Sequence, residues 1–559
     1  MPKKKQPKLR MIPLGGQEEV GRNMMLIECD RDIIIVDMGL QFPEEDMPGI
    51  DYIIPNISYL RGKENYIRGV IITHGHYDHI GAIPHLIPKL GNPTIFTMKL
   101  TRAIIEKRQE DFKSKEKLNI YTISPSDILK LGCFKVEFFR VNHNIPDGVG
   151  VVIHTPQGII IHTGDFKFDA HPVGEEPMNK SRLIKLGKQE VLALCSDSTR
   201  AEAEGHQISE KVIGQTLEKI IKEAKARIII GSFASLLSRA QQIVWIAEKL
   251  GRKIAIDGYS MKTNVEIAKK LGYLKIKKGT LIMIRQAKKL PDNKVIILCT
   301  GAQGEERAVL MRIANREHRQ IEIEKEDTVI FSSSVVPGNE RTVQRLKDSL
   351  ARQGADIIDY DMMDVHTGGH ALGEDLKELI QLLKPKYFIP VEGHYSFLKA
   401  HAKLAENAGV KPQNNLVADN GQIIEFADGK GVLTKKHVPA DYVMVDGLGM
   451  IDSKNIVLRD RKMLAADGMF VIIVTIEGKT GKLVTNPDII SRGFVYMKEE
   501  KKLIEDTRKK IRKILKTKNT TKRAANYAYI KNKIRDDIGQ FLFSKTERRP
   551  MILPVVIEV

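Results

Sequence analysis

Cysteine is scarce in this sequence: four residues among 559 (Cys29, Cys133, Cys195 and Cys299), with no CxxC spacing and no close pair. That excludes a disulfide-built secreted scaffold and a zinc ribbon, and it favours a reducing, cytoplasmic compartment. Long apolar runs are missing as well. Stretches such as Ile33–Val36 fall far short of the roughly 20 residues a membrane helix needs, so no membrane partner is expected. The basic start Met1–Lys5 leads into no apolar segment, and no secretory leader is expected. Internal repeats and long low-complexity tracts are absent. Negative charge is in deficit, 70 Asp and Glu against 89 Lys and Arg, for a formal net charge of +19. A surplus of that size points to polyanions such as nucleic acid or an anionic membrane face, with an ordinary basic cytosolic protein as the bland alternative. With 42% hydrophobic and 28% charged residues, the chain is neither a disordered polymer nor a fibre.

What is present is a recurring unit of short β-branched run, loop and helical pattern. The runs are Ile33–Val36, Val70–Thr73, Ile159–His162, Val191–Cys195, Arg227–Ile230, Val295–Cys299, Thr328–Phe331 and Lys386–Val391. Continuous apolar strands are expected where a sheet is covered on both faces. Lys135–Val141 alternates instead, as a half-buried strand would. The class is α/β. Regular strand–helix rhythm between about 208 and 365 marks an inserted parallel-sheet domain, flanked by two parts of a first domain, 1–207 and 366–450. A linker is expected at 451–465 and a C-terminal α+β domain at 466–559. That last domain would hold a hairpin (Phe470–Thr475 with Gly478–Leu483), a basic amphipathic helix near Lys501–Lys516 and a final strand at Leu553–Val559.

The strongest chemical signal is Thr73–Gly81, which contains His74, His76, Asp78 and His79 directly after a strand. Three imidazoles and a carboxylate crowd metal ligands onto one tight loop, and nitrogen plus oxygen donors suit Zn²⁺ or a similar divalent ion. A scattered polar loop is the alternative, but fifteen histidines in the whole chain make this spacing improbable by chance. Further ligands must come from other strand ends, where catalytic residues of open sheets sit. His143, Asp165 and His394 each follow a strand. Singly, each is as well explained as a cap or loop residue.

With these residues in view, the chain resembles bacterial ribonuclease J, of the β-CASP branch of the metallo-β-lactamase superfamily. His74–His79, His143 and Asp165 match the metal ligands of that fold, and Asp37 matches its supporting acid. Asp197, His370 in His366–His370, and His394 match the β-CASP motifs, and Leu14–Gly21 with the basic C-terminal region adds to the likeness. The resemblance implies a metallo-β-lactamase αββα sandwich, an inserted β-CASP domain and a small C-terminal domain used in oligomerisation. It implies two Zn²⁺ per chain, with Mn²⁺ or Mg²⁺ as substitutes and a structural Ca²⁺ as an addition. One ion would be held by His74, His76 and His143 and the other by Asp78, His79 and His394, with Asp165 bridging. Asp37 would orient a ligand imidazole, while His370 and Asp197 would serve the phosphate. The loops Ser232–Ser235, Ser332–Ser334 with Asn339, and His366–Thr367–Gly368–Gly369–His370 would line an RNA channel, although such loops are also ordinary helix caps.

The implied activity is hydrolysis of single-stranded RNA, 5′-to-3′ from an end and internally, in RNA maturation and mRNA decay. Implied partners are a second or further copies of the chain, as homodimer or homotetramer, and other RNA-decay enzymes. The sequence departs from the family at Gly368, where a serine is usual, at Ala302, and in Ser235–Arg239. Each lost hydrogen bond to a charged phosphate weakens recognition by roughly 1.5–3 kcal/mol, so preference for a 5′ monophosphate is expected to be reduced. The C-terminal helix is expected to pack its apolar stripe in an assembly, and the basic Pro2–Arg10 arm to add non-specific attraction to RNA. A small-molecule metallo-hydrolase and a non-catalytic RNA-binding scaffold are the competing classes. Gly478–Thr480 resembles the end of a P-loop, but Ile473 stands where its first glycine belongs.

Overall fold

The computed structural model describes residues 7–44, 47–112, 116–336, 338–447, 449–452, 456–478, 480, 482–495, 497, 499–516 and 527–559. The start of the basic arm, residues 1–6, lies outside them. The chain divides into two compact units, one running to Gln41 and from Ile54 to Asp441, the other Phe42–Ile53 with Tyr442–Val559.

The first unit holds two sheets whose inner faces share one core. Leu9, Met11, Ile27, Ile34 and Ile71 of an eight-stranded sheet pack with Phe134, Val136, Val151, Ile160, Ala193 and Ile389 of a six-stranded one. The outer face of the six-stranded sheet is covered by the helices Lys180–Gly187, Gly373–Leu383 and Tyr395–Asn407 through Leu183, Leu379 and Ala405. Burial on both faces explains why Asp32–Val36 and Val191–Asp197 read as unbroken apolar runs rather than alternating ones. This is the αββα sandwich.

Register then decides what the strand ends carry. In the first sheet Asp32–Val36 and Ile67–Ile71 are parallel, with Val36 beside Ile71. In the second, Gly158–His162, Val191–Asp197 and Tyr387–Val391 are parallel, with His162 beside Cys195 and Asp197 beside Val391. Residues that follow these strands therefore emerge together at their carboxyl ends.

The insert is a six-stranded, all-parallel sheet in the order Leu281–Ile282, Lys253–Asp257, Val295–Cys299, Ile228–Gly231, Thr328–Phe331, Asp356–Ile358. Helices cover both of its faces. A buried ionic network ties it to the sandwich: Glu210, 2% exposed, accepts from Lys167 at 3.3 Å and from Arg239 at 3.0 Å. Arg239, wholly buried, also donates to Gln242 and to the Val365 carbonyl. Burial alone would raise the Glu210 pKa, but Arg239 and Lys167 hold it down to about 2.

The second unit corrects several expectations. The expected linker is instead part of the strand pair Val443–Asp446 and Gly449–Asp452 and the helix Ile456–Asp467, whose Leu458 packs on Met47, Ile50, Ile53 and Met444. Leu458 of the helix and Met444 of the strand pair thus give that stretch a small core of its own, which a linker would not have. Residues from Tyr442 onward therefore belong with the C-terminal unit rather than with the sandwich. The strand Met469–Ile476 turns back at its end as expected, where the antiparallel Ile476–Leu483 bridge is flanked by bonds from the Glu477 N–H to the Lys482 carbonyl and from the Val484 N–H to the Thr475 carbonyl, both 2.8 Å, with residues 479 and 481 outside the described ones; over Met469–Ile473 its antiparallel partner is Asp488–Arg492. Its other neighbour is the final strand Met551–Glu558, in parallel. Helix Lys501–Lys516 buries Ile504, Ile511, Ile514 and Leu515, together with Ile530, Ile534, Ile538 and Leu542 of helix Tyr527–Thr546, against one face of this sheet. The apolar stripe is thus packed within the unit itself.

Glu210→Ala strands two buried cations and is expected to cost about 3–5 kcal/mol in denaturant unfolding. Lys249→Ala, which breaks an exposed pair with Glu218, should cost under about 1 kcal/mol. Because the folded Glu210 pKa lies below its ordinary 4.5, its stabilisation is complete above pH 4.5 and is lost as pH falls toward 2. A pH series of unfolding midpoints, wild type against Glu210→Gln, reads that contribution.

Candidate metal centre

Asp37 follows its strand with φ +62°, a left-handed turn that folds its carboxylate back onto the neighbouring strand end. It accepts from the Thr73 N–H at 2.8 Å and from the Thr73 hydroxyl at 2.9 Å, and lies 2.8 Å from His79 Nδ1. An Nδ1–H donated to Asp37 leaves His79 Nε2 as the lone-pair nitrogen. The Thr73 hydroxyl also lies 3.1 Å from His74 Nδ1. His143 Nδ1 donates to the Gly369 carbonyl at 2.7 Å. A Cβ at Gly369 would come within 2.5 Å of the His143 ring, so only glycine permits this approach.

The ring nitrogens so oriented converge. His76 Nδ1 lies 3.1 Å from His74 Nε2 and 3.0 Å from His143 Nε2. Asp165 Oδ2 stands 3.6 Å from both His74 Nε2 and His143 Nε2. On its other side, His79 Nε2 is 3.3 Å from Asp165 Oδ1, 3.7 Å from Asp78 Oδ2 and 3.5 Å from Glu392 Oε1. Among the described residues four overlapping groups result, each with its donor atoms within 4.8 Å of one another; two hold four ligands, His74, His76, His143 and Asp165, and Asp78, His79, Asp165 and Glu392, and two hold three, His74, Asp78 and His79, and Asp165, Asp197 and His370.

The residues fit divalent cations. Asp165 is 2% exposed and its Oδ1 is buried with no hydrogen-bond donor among the described residues, a cost of roughly 1–3 kcal/mol or more if nothing binds it. Burial and neighbouring imidazoles hold His74 and His143 well below the ordinary histidine pKa, and His76 is lowered to about 3, whereas for His79 burial is outweighed by the carboxylates of Asp165, Glu392, Asp37 and Asp78, which push it well above that value. Unprotonated imidazole is the form a metal takes. Burial and the adjacent Glu392 push Asp165 well above the ordinary carboxylate range. These directions belong to the side chains by themselves.

Beside this cluster, His370 Nδ1 lies 2.7 Å from Asp197 Oδ2 and 4.0 Å from Asp165 Oδ2. Asp197 is fixed in turn by the N–H and hydroxyl of Thr199 at 2.9 and 2.7 Å. Burial disfavours the imidazolium, but the Asp197 carboxylate outweighs it and His370 is pushed up to about 10.

Of the expected ligands, His74, His76, Asp78, His79, His143 and Asp165 come together and His394 does not. His394 is the N-cap of helix Tyr395–Asn407 and stacks edge-on with Phe397 at 5.3 Å. Glu392, the residue directly after the strand Tyr387–Val391, takes the place beside His79. Its φ of +55° turns the chain there, its N–H donates to the Gly16 carbonyl at 2.8 Å, and Asn23 Nδ2 donates to its Oε1 at 2.8 Å. Glu392, Asn23 and Thr73 escaped the sequence reading. The signal is positional: Asp37 and Glu392 each stand immediately after a strand, whereas His394, two residues further on, is expected from its place after the same strand and its match to a β-CASP motif.

The expected RNA-contacting residues divide by exposure. Ser232, Ser333 and Thr367 are buried, and so is Ser332, whose hydroxyl donates to the Val365 carbonyl at 2.7 Å and takes a bond from Arg239. Ser333 accepts from Gln303 at 3.1 Å, Ser232 reaches the Ser332 carbonyl, and Thr367 donates to the Ile208 carbonyl at 2.7 Å. These hydroxyls brace the insert, a correction to their reading as channel-lining donors. His366 is buried against Phe233 with its pKa lowered to about 3 by burial and the nearby Arg239. Ser235, Ser334, Asn339 and Gly368 are half-buried.

Known proteins share this arrangement of sequence and fold. Residues 18–195 match the metallo-beta-lactamase superfamily, and 225–350 match the ribonuclease J beta-CASP domain. Residues 361–414 match a Zn-dependent metallo-hydrolase RNA specificity domain, and 456–559 the ribonuclease J C-terminal domain. Over 559 residues, all of both chains, the sequence is 40% identical to ribonuclease J2 of Bacillus subtilis. It is 42% identical to ribonuclease J 1 of Streptococcus pyogenes over 98% of this chain and 97% of the relative. A crystal structure of a protein of unknown function from Enterococcus faecalis V583 aligns with 75% of this chain and 100% of its own at TM-score 0.53 and 16% identity, a likeness of fold.

Elemental analysis separates the two candidate ligand sets. His76→Ala is expected to lose metal relative to wild type, while His394→Ala retains the wild-type content. Loss of metal from His394→Ala would return that residue to the ligand set.

Proposed function

We propose, from the premise that this chain belongs to the ribonuclease J family, that it is a metal-dependent ribonuclease of RNA processing and decay that cuts single-stranded RNA both from its 5′ end and internally. The observation that carries this reading is the His370–Asp197 pair set against the carboxylate and imidazole cluster. A small-ester hydrolase has no need of a second cationic group facing the centre, whereas a phosphodiester does. The formal net charge of +19 supports a polyanionic substrate.

Divalent cations, zinc with manganese or magnesium as substitutes, would be held by His74, His76, His143, Asp78, His79, Asp165 and Glu392 and would supply Lewis acidity, lowering the pKa of water and offsetting charge on the attacked phosphate. Asp37 keeps His79 in one tautomer. The Gly369 carbonyl holds His143 and leads directly into His370, so the ligand and the phosphate-facing histidine are positioned by one turn. His370, kept protonated by Asp197, offers its Nε2–H to a phosphate oxygen or to the leaving oxygen. Of the residues expected to contact RNA, Ser235, Ser334, Asn339 and Gly368 are half-buried and so available to it. The cytoplasm suits such a substrate, and no helix among the described residues is long and apolar enough to cross a membrane. An outward apolar sheet face of Ile490, Leu553, Val555 and Ile557 supports assembly into a homodimer or homotetramer.

End-labelled RNAs resolved by product length test the reading. Metal-loaded protein is expected to cut RNA, to prefer it over matched DNA, to stop on chelation, and to bind less tightly as salt rises. His370→Ala should lower kcat by about 10²–10⁴-fold, the usual share of a positioned acid. Failure of loaded protein to cut any RNA overturns the reading.

The 5′ end gives a second test. Thr367 spends its hydroxyl on Ile208, and Gly368 has none, so a terminal monophosphate is expected to be preferred only modestly over triphosphate or hydroxyl ends. Gly368 has no left-handed φ, and a Cβ there meets only the flexible Gln207 amide, at 2.8 Å. Gly368→Ser should therefore fold and sharpen the preference in a side-by-side rate comparison.

A further inference from the structure

The two ligand groups differ sharply in chemistry. The first offers three imidazoles and one carboxylate, His74, His76, His143 and Asp165. The second offers one imidazole and three carboxylates, His79 with Asp78, Asp165 and Glu392. Among the described residues, the ion-pair partners of these three carboxylates are all histidines, with no lysine or arginine. The negative charge is therefore built to be met by a cation.

Glu392 is what makes the second group oxygen-rich, and the fold fixes it firmly. Its carboxylate, 4% exposed, takes the Asn23 amide at 2.8 Å, and the same Asn23 nitrogen lies 3.2 Å from His79 Nε2. Its backbone is pinned by the Gly16 carbonyl, and Gly393 next to it forms bridges with Gln17 and Glu19. Glu19 is itself buried and paired with Arg22 at 2.9 Å. A left-handed φ at a residue with a long side chain is strained and persists only where its surroundings hold it.

Imidazole favours zinc-like ions, whereas carboxylate and water favour manganese and magnesium. We infer that the centre is asymmetric: the His74–His76–His143 position takes a zinc-type ion, and the Asp78–His79–Asp165–Glu392 position takes a hard ion of the Mn²⁺ or Mg²⁺ class. Zinc outcompetes manganese in most sites of mixed donors, so the selection is relative and acts when hard ions are in excess. The inference rests on the reading of this cluster as a metal centre, but not on what the centre cuts.

Metal-stripped wild type, Glu392→His and Asn23→Ala are dialysed against one equivalent of Zn²⁺ with excess Mn²⁺. Bound metals are counted by elemental analysis and the bound Mn²⁺ signal is read by electron paramagnetic resonance, without RNA present. Wild type should hold about one ion of each kind. Glu392→His should bind Mn²⁺ at least about tenfold more weakly and take up a second zinc when zinc is raised to two equivalents. Asn23→Ala, which leaves every ligand in place, should weaken Mn²⁺ by about 10–100-fold, the usual cost of losing a group that orients a ligand. Far-ultraviolet circular dichroism verifies that both variants fold. Uptake of a second zinc ion by wild type when zinc is raised to two equivalents with manganese still in excess, or unchanged Mn²⁺ affinity in folded Glu392→His, overturns the inference. Binding of neither metal by wild type overturns the metal centre itself, a different outcome from either.

Discussion

Asp165 is a carboxylate sealed from water between two groups of ligands, with one oxygen that meets no hydrogen-bond donor among the described residues. Most of the architecture near it can be understood as what is required to keep that arrangement in place. Burial and Glu392 raise its pKa, its neighbours on both sides are imidazoles, and three of these are oriented by a partner at the far nitrogen. Asp37 turns His79, Thr73 faces His74, and the Gly369 carbonyl turns His143. A cluster of like groups at this density repels itself unless cations are shared among them.

The parallel pairings bring these groups to one place. Val36 lies beside Ile71 in one sheet, and His162, Cys195, Asp197 and Val391 fall in register across the other. The residues at or just past the ends of those strands, Asp37, Thr73, Asp165, Asp197 and Glu392, therefore meet at one rim of the sandwich. The insert is attached to the same rim through Lys167, Glu210 and Arg239, so the loop that carries His366–His370 is braced by buried charge rather than by surface contacts alone. Much of the hydroxyl chemistry that a channel could have used is spent on that bracing, at Ser332 and Thr367 in particular.

Strand positions, the α/β class, the parallel insert, the His74–His79 loop and the helix Lys501–Lys516 were legible from residue order, because each depends on local periodicity or on ligands only a few residues apart. Family resemblance extended this to His143, Asp165, Asp197 and His370. The rest of the C-terminal pairing was not legible: beyond the turn-back at Ile476 and Leu483, Met469–Ile476 pairs with Asp488–Arg492 and, along its whole length, with the last strand. Nothing local distinguishes those choices.

Glu392 and His394 illustrate the division most directly. Composition and spacing by themselves determined that a ligand should follow the strand ending at Val391, and histidine was the natural candidate. Which of the two residues reaches the centre depended on a left-handed turn at Glu392, on the Gly16 carbonyl that holds it, and on Asn23 arriving from the far end of the chain. His394 was left to cap a helix. A strand end fixes where side chains emerge, but the direction each one takes is set by contacts hundreds of residues away, and those exist only once the two sheets have packed.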